Sequence, residues 1–276
     1  MKRVSVRDDW FRRSLPSLML LCMTALHSPS SAHGIHGHIH VTAWAVDGLP
    51  DGELKDFLAD AELRTALLFG AVFPDTGSII GDDYGEIAHW EHFVDAFIAH
   101  LRESPEGYTT RSAQKRVAFL MGVAAHGLQD EIFDTLFLGL AETHDQQDQT
   151  TIDTATDAFL HADGYLVESV TPDYPVTLLV DLYQNALDYE VSEAVLDQGI
   201  SLTSHYVISI ADVAPAFDAR LRPQMSWTST HYDDPVIAGS LASEVPATTA
   251  YLEAIWERLN GRWDGANPVI YAYPDG

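Results

Sequence analysis

The spacing of apolar residues in this sequence is that of α-helices. Apolar side chains recur at the intervals that line one face of an α-helix over much of the chain. The stretches with this spacing are residues 38–50, 53–69, 88–102, 111–139, 150–162, 176–198, 200–213 and 235–261. The β-rich runs at residues 206–210 and 269–271 are too short to build a sheet. The pattern therefore predicts an all-α fold.

Turn residues separate the predicted helices. Combinations of Pro, Gly and Asp that favour turns occur at residues 49–52, 74–77, 104–107 and 162–164. Neither an internal repeat nor a low-complexity linker stands out. A chain of this length can bury one substantial core. We therefore expect residues 33–276 to form a single-domain helical bundle.

The first residues have the order of a secretory signal peptide. Residues 1–13 carry five Lys or Arg, residues 15–26 are apolar, and the small residues of HSPSSA follow. The apolar run is shorter than a membrane-spanning helix. A buried N-terminal helix is the alternative, but the run shows no amphipathic period. We therefore expect residues 1–32 to be a signal peptide cleaved near Ala32, and the protein to be secreted or periplasmic. The single cysteine, Cys22, lies in this leader, so the mature chain can form no disulfide.

The charge balance narrows the choice of partners. The chain has 41 acidic and 15 basic residues and a formal net charge of −26. Such a surface repels the phosphate backbone of nucleic acids and anionic membranes. We therefore expect no nucleic-acid partner. A phosphate-ester substrate would need local positive charge in the active site, and a bound metal would supply it.

The strongest local signal for chemistry is the segment FLMGVAAHGLQDEIFDTLF, residues 119–137. His126, Asp130 and Asp134 recur every four residues, so a helix places them along one stripe. Burying an imidazole and two carboxylates in so apolar a segment is costly unless a cation lies against them. A divalent metal is the simplest such cation.

Other histidines and aspartates could share that metal. His144 and Asp148 repeat the spacing of one helical turn, and Asp157 and His161 repeat it in reverse order. Four of the thirteen histidines fall within residues 33–40. A chain this rich in His and Asp contains such pairs by chance, so the metal hypothesis requires that they converge. Imidazole nitrogen beside carboxylate oxygen favours zinc over calcium or magnesium.

Two more candidates lie between these segments. Asp75 follows Pro74 in a predicted turn, and His89 stands beside Trp90 at the start of a predicted helix. Asp75 could equally be a turn or N-cap aspartate. His89 or His92 could equally be a histidine of the core.

The order of these segments resembles the zinc-dependent phospholipase C superfamily. The resemblance is closest to the branch that includes the amino-terminal domain of glycosylphosphatidylinositol-specific phospholipase D. The segments that carry it are GHIHVTAWAVD, GAVFPD, AHWEHF, AAHGLQDEIFD and ETHDQQD. The resemblance implies an all-α bundle with a multinuclear cleft for three zinc ions. The ligands that it implies are His33, His38, Asp75, His89, His126, Asp130, His144 and Asp148. The one-turn spacing adds Asp134 as a further candidate ligand.

His33 and Asp134 differ from the other candidate ligands. The resemblance implies that His33 binds through the free amine and carbonyl oxygen of the mature N-terminus. Asp134 stands where the superfamily commonly has a histidine, so the third ion site of this chain departs from the family pattern.

The resemblance also implies a mechanism and a substrate class. Asp130 would bridge two ions that hold a hydroxide for attack on phosphorus, and Asp75 would orient that hydroxide. The implied function is a secreted metal-dependent phosphodiesterase that hydrolyses phospholipid-like phosphate esters with C-type or D-type cleavage, in transient contact with a membrane surface. A single-strand nuclease of the same superfamily and a non-catalytic zinc-binding protein are the alternatives.

Overall fold

The fold is all-α, as the sequence predicts. A computed structural model describes residues 33–104, 107–165, 168 and 170–262, and every regular element in these ranges is a helix. The predicted signal peptide and the run at 269–271 lie outside the described residues. In chain order the helices are α1 (Ile35–Asp47), α2 (Glu53–Leu58), α3 (Ala61–Gly70), α4 (Phe73–Ser78), α5 (Tyr84–Ala88), α6 (Glu91–Glu103), α7 (Arg111–Phe133), a π-helical turn (Asp134–Leu138), α8 (Gly139–Asp145), α9 (Gln149–Ala162), α10 (Val176–Ala186), α11 (Glu193–Leu221), α12 (Thr228–His231) and α13 (Leu241–Leu259).

Helix α7 runs through the core of the bundle. Its residues from Val117 to Ala125 are all buried. Helix α3 packs directly on it because Gly122 has no side chain: a Cβ at that position would overlap the carbonyl oxygen of Leu67. This close approach brings Ala71, which follows α3, against the face of α7 that carries His126.

Two of the three apolar clusters among the described residues include residues of α7. The larger contains the packed rings of Phe93, Phe97, Phe119 and Tyr183 together with aliphatic residues from α1 to α3, α6, α7, α10, α11 and α13. The smaller is built around Phe133, Phe137, Phe159 and Tyr232. Helix α7 contributes residues to both clusters, so the polar stripe on α7 is held between them.

The helix boundaries differ from the predicted ones where caps decide them. Helix α1 begins at Ile35 rather than at residue 38, because the Asp157 carboxylate accepts hydrogen bonds from the backbone N–H groups of His36 and Gly37 at 3.2 and 3.0 Å. The predicted helix 53–69 is divided because Asp60 caps the start of α3. The predicted helix 176–198 is interrupted after Ala186, and Asp188 in the interruption has a left-handed backbone, with φ of 52°.

Two other segments also differ from the prediction. The expected turn at 74–77 lies inside α4, where Pro74 occupies the first helical turn and its missing N–H breaks no hydrogen bond. The β-rich run 206–210 lies inside α11, in agreement with the predicted helix 200–213. The predicted helix 111–139 changes to π-helical geometry at Asp134. Within the described part of the chain, no helix combines the length and the apolar character needed to cross a bilayer.

Candidate metal centre

The structure brings five of the predicted ligands together at one place. Helix α1 supplies His38, α4 supplies Asp75, the residue after α5 is His89, and α7 supplies His126 and Asp130. Their ligand atoms form two groups, in each of which all atoms lie within 4.8 Å of one another. One group is His38, His126 and Asp130, and the other is Asp75, His89 and His126. Because the groups share His126, they are adjacent parts of one centre.

Asp130 lies between the imidazoles of the centre. Its Oδ1 is 3.0 Å from Nε2 of His38. Its Oδ2 is 3.1 Å from Nε2 of His126 and 3.2 Å from Nε2 of His89. The two oxygens of one carboxylate therefore face different histidines, so Asp130 could offer one oxygen to each of two neighbouring cations.

Hydrogen bonds fix the orientation of all three imidazoles. Nδ1 of His126 donates to the carbonyl oxygen of Ala71 at 2.8 Å, and Nδ1 of His89 donates to that of Gly85 at 2.7 Å. Nδ1 of His38 donates to Oε1 of Gln129 at 2.8 Å. Because these oxygens only accept, each Nδ1 carries a proton and each Nε2 is directed into the centre. Partners of this kind hold metal-ligating histidines in one tautomer.

The position of His89 depends on a glycine in α7. Nε2 of His89 lies 2.9 Å from Nε2 of His126. Gly127 permits this approach, because a Cβ at that position would overlap the carbonyl oxygen of His89 and would lie 3.2 Å from its carbonyl carbon. In α7, His126 is therefore a candidate ligand, and Gly127 directly after it leaves room for the second candidate ligand, His89.

The electrostatics of the centre favour bound cations. Burial raises the pKa of Asp130, but the His126 and His38 imidazoles outweigh it and hold that pKa well below its ordinary value. Burial lowers the pKa of His89, but the Asp130 and Asp75 carboxylates outweigh it and raise that pKa to about 9. Asp75 is 3% exposed, and neither of its carboxylate oxygens has a hydrogen-bond partner.

The donor set fits zinc. Imidazole nitrogens and carboxylate oxygens converge, and the second nitrogen of each imidazole is already occupied by a hydrogen bond. The two buried oxygens of Asp75 would gain the partner that the protein does not provide. The residues present therefore match what a zinc ion requires.

His33 lies beside the centre but outside the two groups. Its side chain is fully buried, and its ring centroid is 5.2 Å from that of His38. Its Nε2 contacts the Glu244 carboxylate, at 2.8 Å from Oε1 and 3.0 Å from Oε2. The imidazole of His33 is therefore engaged by Glu244.

The remaining predicted ligands are not members of either group. Asp134 begins the π-helical turn, where Gln149 donates a hydrogen bond to its Oδ1 at 3.3 Å. Partial desolvation, followed by the neighbouring Asp130 carboxylate, raises the pKa of Asp134 to about 7. His144 is exposed and stacks on Trp227, with ring centroids 5.0 Å apart. Asp148 is exposed and caps α9 by accepting a hydrogen bond from the backbone N–H of Thr151 at 2.9 Å.

Asp153 is a buried residue that the sequence reasoning missed. It is 6% exposed, and neither carboxylate oxygen has a hydrogen-bond partner. Burial, followed by the carboxylates of Asp130, Asp134 and Asp75, raises its pKa well above the ordinary value. The available signal was its spacing of one helical turn from Asp157 within an apolar helix.

Asp157 and His161 hold α1 rather than joining the two ligand groups. Asp157 caps α1 from α9 and also accepts a hydrogen bond from the hydroxyl of Tyr206 at 3.2 Å. Nε2 of His36 donates to the carbonyl oxygen of Val207 at 3.2 Å, so its Nδ1 accepts from Nε2 of His161 at 2.9 Å. These bonds fix the helix that carries His38.

Comparison with known proteins agrees with this geometry. Residues 37–133 match the family described as zinc dependent phospholipase C. The chain therefore contains a segment similar to this superfamily. The matched segment contains all five residues of the two ligand groups, whereas His33, Asp134, His144 and Asp148 lie outside it.

The chain also has curated relatives. It is 31% identical over 122 residues to phosphatidylinositol-glycan-specific phospholipase D of Mus musculus, and 30% identical over 126 residues to the protein of the same name from Rattus norvegicus. These alignments cover 41% and 43% of this chain but 15% of each relative. No solved structure matches the chain significantly.

Proposed function

We propose that this protein is a zinc-dependent phosphodiesterase that hydrolyses phospholipid-like phosphate esters. The observation that carries the proposal is the position of Asp130, whose two oxygens face the Nε2 atoms of His38 on one side and of His89 and His126 on the other. This arrangement lies within the segment that matches the zinc dependent phospholipase C family. The related proteins named phospholipase D support a phospholipid-like ester as the substrate class.

Each residue of the centre has a role in this proposal. His38 and Asp130 would hold one zinc ion, and Asp75 and His89 would hold another. His126 stands in both groups, but only its Nε2 is available, so it would bind one of the two ions. Zinc bound there would supply positive charge to the phosphate ester and a water of lowered pKa. Asp75, whose buried oxygens have no other partner, would orient that water and accept its proton. Because the net charge of the chain is −26, the substrate phosphate depends on the centre for its attraction.

We propose three zinc ions per chain. The unpartnered carboxylate of Asp153 supports a third position, since a buried carboxylate without a hydrogen bond is costly unless a cation lies against it. Asp134, whose carboxylate contributes to the raised pKa of Asp153, would share that position. His33 beside His38 is the further candidate ligand, through the main chain of a processed N-terminus.

The proposal includes secretion of the protein. The composition of residues 1–32 supports a signal peptide, with cleavage near Ala32 and release to the outside or to the periplasm. A phospholipid-like substrate would bring the protein into transient contact with a membrane surface. The acidic surface disfavours nucleic acid as a substrate.

The test compares the processed protein with an Asp130→Ala variant on chromogenic phosphocholine and phosphoinositol esters. We expect the variant to lose roughly a thousandfold or more in kcat/KM, because loss of the bridging carboxylate removes metal-based stabilisation worth several kcal/mol. Glu131→Gln is the matched control, since Glu131 is the exposed neighbour of Asp130. Hydrolysis unchanged in Asp130→Ala would contradict the proposal.

The products of the same assay separate the remaining alternatives. Release of a phosphorylated headgroup indicates C-type cleavage, and release of the free headgroup indicates D-type cleavage. Faster hydrolysis of single-stranded DNA than of any lipid ester would indicate a nuclease. Zinc uptake without turnover of any ester would indicate a non-catalytic zinc-binding protein.

A further inference from the structure

Glu244 is a fully buried carboxylate whose closest charged or ionisable contact is His33. It lies in the first turn of α13, and both its side chain and that of His33 are 0% exposed. Its Oε1 and Oε2 are 2.8 and 3.0 Å from Nε2 of His33, across 211 residues of sequence. Glu244 also lies beyond residues 37–133, the segment that matches the family.

The surroundings of His33 leave little freedom for its ring. Its centroid is 4.2 Å from that of Phe133 and 5.2 Å from that of His38. On a third side lies Gly37, where a Cβ would be 3.5 Å from Nδ1 of His33 and 3.4 Å from a methyl group of Leu241. Helices α1 and α13 therefore pack closely at this point, and the carboxylate from α13 fixes His33 next to a residue of the metal centre.

Burial of a carboxylate is expensive, and an apolar residue of similar volume would pack at this position without that cost. A side chain that only stabilised the contact between α1 and α13 would not need to be ionisable. The bifurcated contact with His33 is what distinguishes glutamate from leucine or methionine here. The contact with His33 therefore accounts for a glutamate at this position.

We infer that Glu244 is a positioning residue that holds His33 against the metal centre. The inference rests on the zinc centre proposed above. Glu244 itself makes no hydrogen bond or ion pair with the five residues of the two ligand groups. It acts through Nε2 of His33 and so determines where residue 33 lies relative to His38 and Asp130. Without this contact, residue 33 would lose its fixed place beside His38, and the zinc site nearest to His38 would weaken.

The test uses three variants of the full processed chain and measures zinc per chain and zinc affinity. Glu244→Leu removes the contact, and we expect the weakest bound zinc to lose about 10- to 100-fold in affinity, the usual effect of removing a partner of a metal-binding residue. Glu244→Gln keeps a group that can hydrogen-bond to imidazole, and it should restore most of the affinity. Thr248→Val is the matched control, because Thr248 is fully buried one turn further along α13.

A double-mutant cycle with His33→Ala shows whether Glu244 acts through His33. If it does, Glu244→Leu adds little further loss of zinc affinity in the His33→Ala background. Helical circular dichroism in a chelator shows whether each variant folds without metal, and Glu244→Gln carries the test if Glu244→Leu does not fold. Zinc affinity equal to that of the parent in Glu244→Leu, or full additivity with His33→Ala, would overturn the inference.

These results are independent of the proposed activity. A parent protein that binds zinc but hydrolyses no ester would end the proposed function, whereas the zinc affinities of the variants would still decide the role of Glu244. A parent protein that hydrolyses phospholipid-like esters while Glu244→Leu retains every zinc ion would overturn only the role of Glu244.

Discussion

Gly127→Ala is a small change with a large expected effect on the metal centre. A methyl group at this position would overlap the carbonyl oxygen of His89. To reach an ordinary van der Waals distance, that oxygen would have to move by about 1 Å. Metal–ligand distances tolerate shifts of only about 0.2 Å. We therefore expect zinc affinity at the position lined by Asp75, His89 and His126 to fall by about 10- to 100-fold, similar to the loss of a supporting residue.

The effect of Gly127→Ala should be local. Alanine favours a helix over glycine by about 1 kcal/mol, so helix α7 itself is not weakened by the change. Gly139→Ala is the matched control, because a Cβ at Gly139 meets no atom within 4 Å. Competition with a chromophoric chelator measures the affinity, and circular dichroism checks the fold. Equal zinc affinities in Gly127→Ala and the parent would refute the reasoning that Gly127 sets the position of His89.

Three further predictions follow from the same geometry. Gln129→Leu removes the acceptor for Nδ1 of His38, so zinc affinity should fall by about 10- to 100-fold, and titration with a competing chelator checks it. Because the pKa of His89 is raised to about 9, His89 is protonated at neutral pH in the metal-free centre, and zinc binding should release that proton. The heat of zinc binding measured by calorimetry should then depend on the ionisation enthalpy of the buffer. A heat that is the same in all buffers contradicts this prediction. The raised pKa of Asp153 means that its contribution to stability is present below the unfolded pKa and is lost as pH rises through the folded pKa. Asp153→Asn should therefore raise the melting temperature of chelated protein at alkaline pH and progressively less toward acidic pH, as a series of thermal melts checks.

The sequence was a good guide to the helices and a weaker guide to where they begin and end. Apolar periodicity reports which face of a helix is buried, and the all-α prediction follows from it. Helix α1 begins earlier than predicted because its cap, Asp157, comes from a helix more than a hundred residues later. Local periodicity contains no information about a cap of that kind.

The site shows the same limit. Spacing alone places His126 and Asp130 on one face of α7, but it gives the same weight to His144 and Asp148, which the structure places at the surface. A spacing of one turn shows that two residues share one face of a helix. It does not show whether that face contacts the core, another ligand or solvent. Glu244 carried no signal at all, since a single carboxylate in an amphipathic helix is ordinarily solvated.

Diffraction at the zinc absorption edge, from crystals of the processed protein, locates any bound zinc relative to these side chains. We expect anomalous peaks at roughly 2 Å from the Nε2 atoms of His38, His89 and His126, on either side of the Asp130 carboxylate. Zinc peaks remote from these side chains, or none in zinc-loaded crystals, would contradict this expectation.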